Sequence, residues 1–284
     1  MNTIIASKME NIKTIFQAAQ ENASKLEDIS ELVALLQTTE TEFLPVAYEG
    51  AAMTLALKDF SSGDSILNWK KFLESSKKYA CQIYIGMGWA VGQEKRTSLP
   101  FLSELNHNMQ FRIWDGCGYF DGIFRQRQTI KGQNRQEHIQ QKDYQAYDEG
   151  IGRSIWYICK GDETKVPEMI QQFSTDRHSD LWRGVGIACS FVGGFEEKAL
   201  RALESSAGKH STQLGIGAAM VAKSRIEADC YTEDIEIINR VFNKLSAEEA
   251  MEITVKNKTV PNFSFSNFIL QMENDLEKSR QIKK

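Results

Sequence analysis

Tyr147–Cys159, YDEGIGRSIWYIC, sets Gly150 and Gly152 inside a segment that otherwise reads as a buried helix. Glu149 precedes the first glycine and Arg153 follows the second. Similar stretches stand on either side: AYEG at Ala47–Gly50, YIGMG at Tyr84–Gly88, YFDG at Tyr119–Gly122, LWRGVG at Leu181–Gly186 and QLGIG at Gln213–Gly217. Aligned on the first glycine they fall at 50, 86, 122, 150, 184 and 215, with spacings of 36, 36, 28, 34 and 31. A period in this range suits a helix–turn–helix repeat. Glycine costs about 1 kcal/mol against alanine inside a helix. Four of the stretches carry a G-x-G pair, so these glycines cost roughly 6–8 kcal/mol. That rivals the net stability of a domain, about 5–15 kcal/mol, and something must offset it. Residues i and i+2 lie about 200° apart around a helix. The two glycines of a pair therefore face opposite sides, and each side can take a neighbouring helix at close range.

The expected fold is all-α: a TPR-like helical-repeat solenoid of αα-hairpins with helical caps at both ends. One domain covers 1–284, with an N-terminal cap over 1–40, glycine-marked helix pairs over 43–228 and C-terminal helices over 229–284. Asp28 and Glu31 have the spacing of a capping box before Leu32–Leu36. Partner helices are expected at Ser65–Tyr79, Pro100–Trp114, Val166–Ser174 and Phe195–Ser206, with a break at Asp115–Gly118 before a further helix, Tyr119–Ile130. The polar run 131–143, KGQNRQEHIQQKD, reads as a surface loop.

Composition narrows the function classes. The chain has 284 residues, 42% hydrophobic and 25% charged, with a net charge of −4. An acidic balance gives no electrostatic case for nucleic acid. No uncharged apolar run approaches the length of a membrane span, and the charged N-terminus is not a secretory leader. The five cysteines, at 81, 117, 159, 189 and 230, have no metal or redox spacing. They read as free thiols of a cytoplasmic protein.

The residue before each aligned glycine is Glu49, Ile85, Asp121, Glu149, Arg183 or Leu214. Equivalent positions of a regular array line one surface, so three carboxylates and an arginine form a polar line there. Asp121–Arg125 and Glu149–Arg153 are i,i+4 pairs, acid first. They read either as intrahelical ion pairs or as a polar groove for a ligand. Arg177, Asp180 and Arg183 share a face and read either as a salt-bridge ladder or as a site beside Trp182. Asp115, before the Gly116-Cys117-Gly118 break, is either a cap or a groove residue. The candidate catalytic residues are therefore Asp115, Asp121, Glu149 and Arg153. The candidate ligand-binding residues are Glu49, Trp89, Asp148, Trp156, Arg177, Asp180, Trp182 and Arg183. His107, His138, His178 and His210 are scattered, and none accompanies the carboxylates at ligand spacing, so no metal is expected. The glycine pairs lack the preceding strand of a dinucleotide fold, and no cofactor is expected.

Six segments occur in a recognisable order: FLPVAYEGAAMTLAL, YIGMGWAVG, DGCGYFDGIF, YDEGIGRSIWYI, DRHSDLWRGVGIACSFVGG and GAAMVAKSR, from Phe43 to Arg225. Together they resemble a bacterial family of unknown biochemical function associated with enediyne biosynthesis as accessory proteins. Where that family's Gly-Tyr-Gly-Phe-His-x-Gly segment has a histidine, this chain has Phe120, and Cys117 replaces the tyrosine. A general base at that histidine is therefore not open to this chain. The resemblance implies a role in maturing a polyene-like metabolite. The resulting expectation is a cytoplasmic accessory protein that holds an extended apolar or polyene-like intermediate, or its carrier enzyme, in the repeat groove. One alternative is an enzyme working on that intermediate by acid–base chemistry. Another is a pure protein–protein scaffold. A deep pocket carrying carboxylates points to the enzyme and an open concave face to the scaffold.

Overall fold

The computed structural model describes residues 3–63, 65–137, 139–258 and 263–282. His138 and the basic end Lys283-Lys284 lie outside them. The described residues form fourteen α-helices and no strand. The first two, α1 (Thr3–Lys25) and α2 (Ile29–Leu36), precede the glycine-bearing helices. Asp28 caps α2, its carboxylate accepting from the Ser30 and Glu31 amides at 2.6 and 3.2 Å. This supplies acceptors to donors that the first helical turn leaves without partners.

The glycine-bearing helices are α3 (Leu44–Ser61), α5 (Ala80–Glu94), α6 (Phe111–Phe124), α7 (Tyr144–Ile158), α9 (His178–Val192) and α11 (Ser211–Glu227). Between them run α4 (Leu67–Ser75), α8 (Lys165–Ile170) and α10 (Glu197–Ala207). The chain closes with α12 (Glu233–Asn243), α13 (Ala247–Lys258) and α14 (Phe265–Ile282).

Each glycine-bearing helix packs on the next, and the glycines stand where the backbones meet. A Cβ on Gly150 would overlap the Asp115 carbonyl of α6, and one on Gly152 the Leu181 carbonyl of α9. The two glycines of this pair thus serve the preceding and the following helix, as their opposite facing requires. The same relation runs along the row. Gly86 faces the Glu49 carbonyl, Gly116 that of Ile85, Gly184 that of Glu149 and Gly217 that of Arg183. Contacts advance in step, Arg112 with Glu149, Asp115 with Arg153 and Tyr119 with Tyr157. Neighbouring glycine helices therefore run parallel, and the segments between them are returns.

This register corrects the sequence alignment at two places. In α6 the glycine that meets the preceding helix is Gly116, not Gly122, which faces the Ser154 side chain instead. In α11 it is Gly217, while Gly215 faces Asn243 of α12. The Asp115–Gly118 segment is accordingly no break but the middle of α6. The expected partner helix at Pro100–Trp114 is replaced by two short 3₁₀ turns, Pro100–Glu104 and His107–Met109, before α6 starts at Phe111. The expected helix Tyr119–Ile130 ends at Phe124 and gives way to a single π turn, Arg127–Lys131. Strict alternation of long helix and partner helix, which a TPR-like array needs, is therefore interrupted on both sides of α6.

The row also curls back on itself. Gln82 of α5 donates to Ser224 Oγ of α11 at 2.7 Å. Arg225 donates to the carbonyls of Phe191 and Glu42, at 2.7 and 3.0 Å, joining the ends of α9 and α11 to the start of α3. The helix α1 fills the remaining gap. Its Phe16 backbone lies against Gly50 of α3, and Lys8 pairs with Glu42 and Asp234 at 2.6 and 2.8 Å. Its own Ile5 and Ala19 are buried. The expected repeat groove is thus partly covered by the segment read as an N-terminal cap.

Candidate functional site

Between α1, the first half and middle of α3, and the C-terminal halves of α5, α6, α7 and α9 lies a cavity of ≈ 920 Å³. That is within the size range of small-molecule sites, about 300–1,000 Å³. Its walls are mainly apolar and aromatic: Phe16 and Met9 from α1, Met53 from α3, Trp89 from α5, and Phe120 and Ile123 from α6. Phe16 and Trp89 meet at 5.0 Å between ring centroids, and Tyr119 stands edge-on to Trp89 at 4.8 Å. Phe124 also lines the cavity and is 64% exposed.

Helical periodicity explains which residues face it. Counted from the residue before the helix-contact glycine, the positions four further on in α3, α5, α6 and α7 are Met53, Trp89, Tyr119 and Arg153. The positions eight further on include Gln93, Ile123, Tyr157 and Phe191. All eight line the cavity. Spacings of four and eight keep one stripe of a helix turned the same way.

The polar end of the cavity is Glu49, Arg153, Tyr119 and Tyr157. Trp89 Nε1 donates to Glu49 Oε1 at 2.8 Å. No ion pair joins Glu49 to Arg153, whose Nη1 donates to both Asp115 carboxylate oxygens at 3.1 and 3.3 Å. Arg153 stacks over the Tyr119 ring at 4.3 Å, and its Nε is buried without a partner. Burial pushes the Glu49 carboxyl up to about 7, with Asp115 adding to the rise and Arg153 and the Trp89 hydrogen bond opposing it. Burial also raises the Tyr157 hydroxyl to about 12 and lifts that of Tyr119 well above its ordinary value. A carboxyl that is half protonated near neutrality, inside an apolar cavity, can give or take a proton there.

The other candidates from the sequence lie outside the cavity. Glu149 does not pair with Arg153. It accepts from Arg183 Nε at 2.5 Å and Arg112 Nη1 at 3.2 Å, buried between α6, α7 and α9. Burial raises its carboxyl, opposed by Arg183 and Arg112. Asp115, also fully buried, stands behind the cavity between Arg153 and Arg112. The interchange of partners is a matter of reach. Neighbouring helices held together by glycine are close enough for cross-helix pairing to replace the i,i+4 pairing the sequence suggests.

Asp121 does pair with Arg125 and also accepts from the Tyr147 hydroxyl at 2.7 Å, away from the cavity. Arg177 and Asp180 do not share one ladder. Asp180 accepts from Arg183 at 2.7 Å. Arg177 binds Asp148 at 2.6 and 3.0 Å, and its Nη1 donates to the Gln133 carbonyl at 2.6 Å. With Arg135, which also binds Asp148, this cluster ties the polar 131–143 loop to α7 and α9. Trp156 and Trp182 are core residues. Of the residues named from sequence, Glu49, Trp89 and Arg153 come together at the cavity. Sequence reasoning missed Tyr119, Tyr157, Ile123 and the α1 side chains. Aligning α6 on Gly116 would have found Tyr119 and Ile123. No group of three or more potential metal ligands occurs among the described residues.

The chain belongs to the family described as "Protein of unknown function (DUF1702)". The match runs over residues 1–266. Nothing in that match links the chain to enediyne biosynthesis. No curated protein and no solved structure matches it. Among the described residues no helix is long and apolar enough to cross a membrane.

The raised Glu49 carboxyl makes a sign-definite prediction. The unfolded carboxyl loses its proton near 4.5 and the folded one near 7. The stability contributed by the protonated form is therefore full below about pH 4.5, is lost as pH rises through about 7, and then levels off. Glu49→Gln lacks this loss. Its stability relative to the wild type should rise by about 3 kcal/mol between about pH 4 and about pH 8. Urea unfolding of both proteins at the two pH values measures it. A difference that does not change with pH would refute the buried-acid assignment.

Proposed function

We propose that the protein binds an extended, largely apolar small molecule in the cavity beneath α1, as a cytoplasmic accessory protein of specialised metabolism. The observation that carries this reading is the cavity itself, ≈ 920 Å³ with aromatic walls and polar groups gathered at one end. A polyene-like intermediate, implied by the resemblance to enediyne accessory proteins, has the flat apolar shape that such walls suit. A concave cavity of this volume favours a small-molecule site over a flat scaffold surface. An enzyme is the second reading. Glu49 supports it, as a carboxyl poised near neutrality beside the cavity. Glu49 then takes the acid–base role that the sequence assigned to Asp115, Asp121 and Glu149, all fully buried in ion-paired clusters.

Diphenylhexatriene, an uncharged linear polyene that fluoresces in apolar surroundings, tests the site. Saturable binding by the full chain is expected. Ile123→Trp, which fills the cavity from α6, should weaken it by roughly tenfold or more, a loss of about 1.4 kcal/mol or more. Circular dichroism checks that the variant keeps its helices. Absence of saturable binding, or equal binding by a folded Ile123→Trp, would remove the cavity from consideration. Native mass spectrometry of protein from its own host would then identify the resident ligand.

A further inference from the structure

We propose that the cavity takes a ligand with a carboxylate head, seated tail-outward, and that Glu49 binds the head in its protonated form. This rests on the reading of the cavity as an apolar-ligand site and names the chemistry of its polar end.

The polar end is rich in donors. Arg153 spends only Nη1 on Asp115, and its Nε has no partner. Tyr119 and Tyr157 stand beside it, and Lys160 lines the same cavity. An arginine with uncommitted donors at the end of an apolar cavity matches a planar anion such as a carboxylate. Glu49 is the one acid among them. Trp89 Nε1 occupies its Oε1, and a protonated Glu49 can donate its own O–H to a second carboxylate.

Charge balance leads the same way. Arg112, Arg153 and Arg183 are matched behind the cavity by Asp115, Glu149 and Asp180. With Glu49 neutral, that matched set leaves Lys160 as the remaining cation at the cavity end, able to balance one added negative charge. With Glu49 ionised, that place is taken. The groups facing Glu49 are Trp89 on α5, Tyr119 and Asp115 on α6, and Arg153, Tyr157 and Lys160 on and just after α7. Glu10 and Lys13 of α1 also line the cavity, at exposed positions, and α9 contributes only the uncharged Phe191 there. An anion held beside Arg153 therefore draws a proton onto Glu49, and binding takes up protons from solution.

The probes are parinaric acid, a conjugated fatty acid that fluoresces when bound, its methyl ester, and a fatty amine of equal length. Binding is followed from about pH 6 to about pH 9, with calorimetry in two buffers of different ionisation enthalpy to count protons. Near pH 6 the acid should bind roughly tenfold or more tightly than the ester. Above about pH 7 its affinity should fall by up to about tenfold per pH unit with proton uptake, as linkage requires. The ester should show no such slope. Glu49→Gln, which keeps a hydrogen-bond donor without the titration, should bind the acid with the slope abolished. Arg153→Met should remove the preference for acid over ester; if it fails to fold, the wild-type pH series and Glu49→Gln still decide. Equal binding of acid and ester, with diphenylhexatriene still bound, overturns the carboxylate head and leaves the apolar site standing. Tighter binding of the amine, rising with pH, also overturns it. Loss of all three probes and of diphenylhexatriene overturns the site itself.

Discussion

Gly184→Ala should lower stability by about 3 kcal/mol or more, and Gly150→Ala by a similar amount. A single added methyl group at Gly184 overlaps the Glu149 carbonyl and comes to 2.8 Å from the Arg153 amide. At Gly150 it overlaps the Asp115 carbonyl and comes to 2.5 Å from the Tyr119 amide. In both places the obstacle is backbone, so no rotamer change relieves it. The helices must separate, and the cross-helix ion pairs stretch with them. Gly208 is the control, with φ of 55° and open space where a Cβ would stand. Alanine there meets no neighbour and costs only the strain of a backbone at φ 55° and ψ −121°, which L residues rarely adopt, about 1–3 kcal/mol. Enlarging the side chain to leucine should add little at Gly208 and much at Gly184. Urea unfolding of these variants measures this. A Gly184→Ala protein that melts within a degree of wild type would overturn the close-contact account.

The second large effect lies in the buried charges. Arg183→Met removes the guanidinium that holds both Glu149 and Asp180. Stranding a buried charge in this way costs about 3–5 kcal/mol. The double variant Glu149→Gln with Arg183→Met should regain part of that, with a coupling energy of about 1–3 kcal/mol. The pair Glu149 and Arg153 should couple more weakly, because no ion pair joins them and Arg153 serves Asp115. Double-mutant cycles on unfolding free energy compare the two. Stronger coupling for Glu149 with Arg153 would restore the intrahelical pairing that the spacing suggests.

Much of the fold was legible in the residues themselves. Apolar positions at helical spacing and the Asp28 cap mark helices that the structure contains with small shifts at their ends, except on either side of α6, where Pro100–Trp114 and Tyr119–Ile130 do not form as expected. The paired glycines marked close helix contacts on opposite faces, and Gly150 and Gly152 meet that expectation. These features are local: they depend on backbone geometry within a few residues, which the amino-acid order dictates.

The register of α6 was not legible, because Gly116, Gly118 and Gly122 lie on one helix and only a neighbouring helix decides which of them is approached. Partner choice among charges was not legible either. Arg153 reaches Asp115 across a helix contact as easily as Glu149 along its own helix, and distance between helices settles it. The segment that forms α1 was legible as an N-terminal cap, but what it packs against was not, and its placement over the row is what turns a surface into a cavity. Glu49 read from sequence is one carboxylate in a line. Only the helices packed around it withdraw water and raise its proton affinity, which makes it the residue on which the proposed chemistry turns. The amino-acid order thus determined the helices and the glycine-mediated contacts between them. The tertiary structure alone decided the cavity, its polar end and the pairing of its charges, because each depends on what lies a few ångströms away across a gap in sequence.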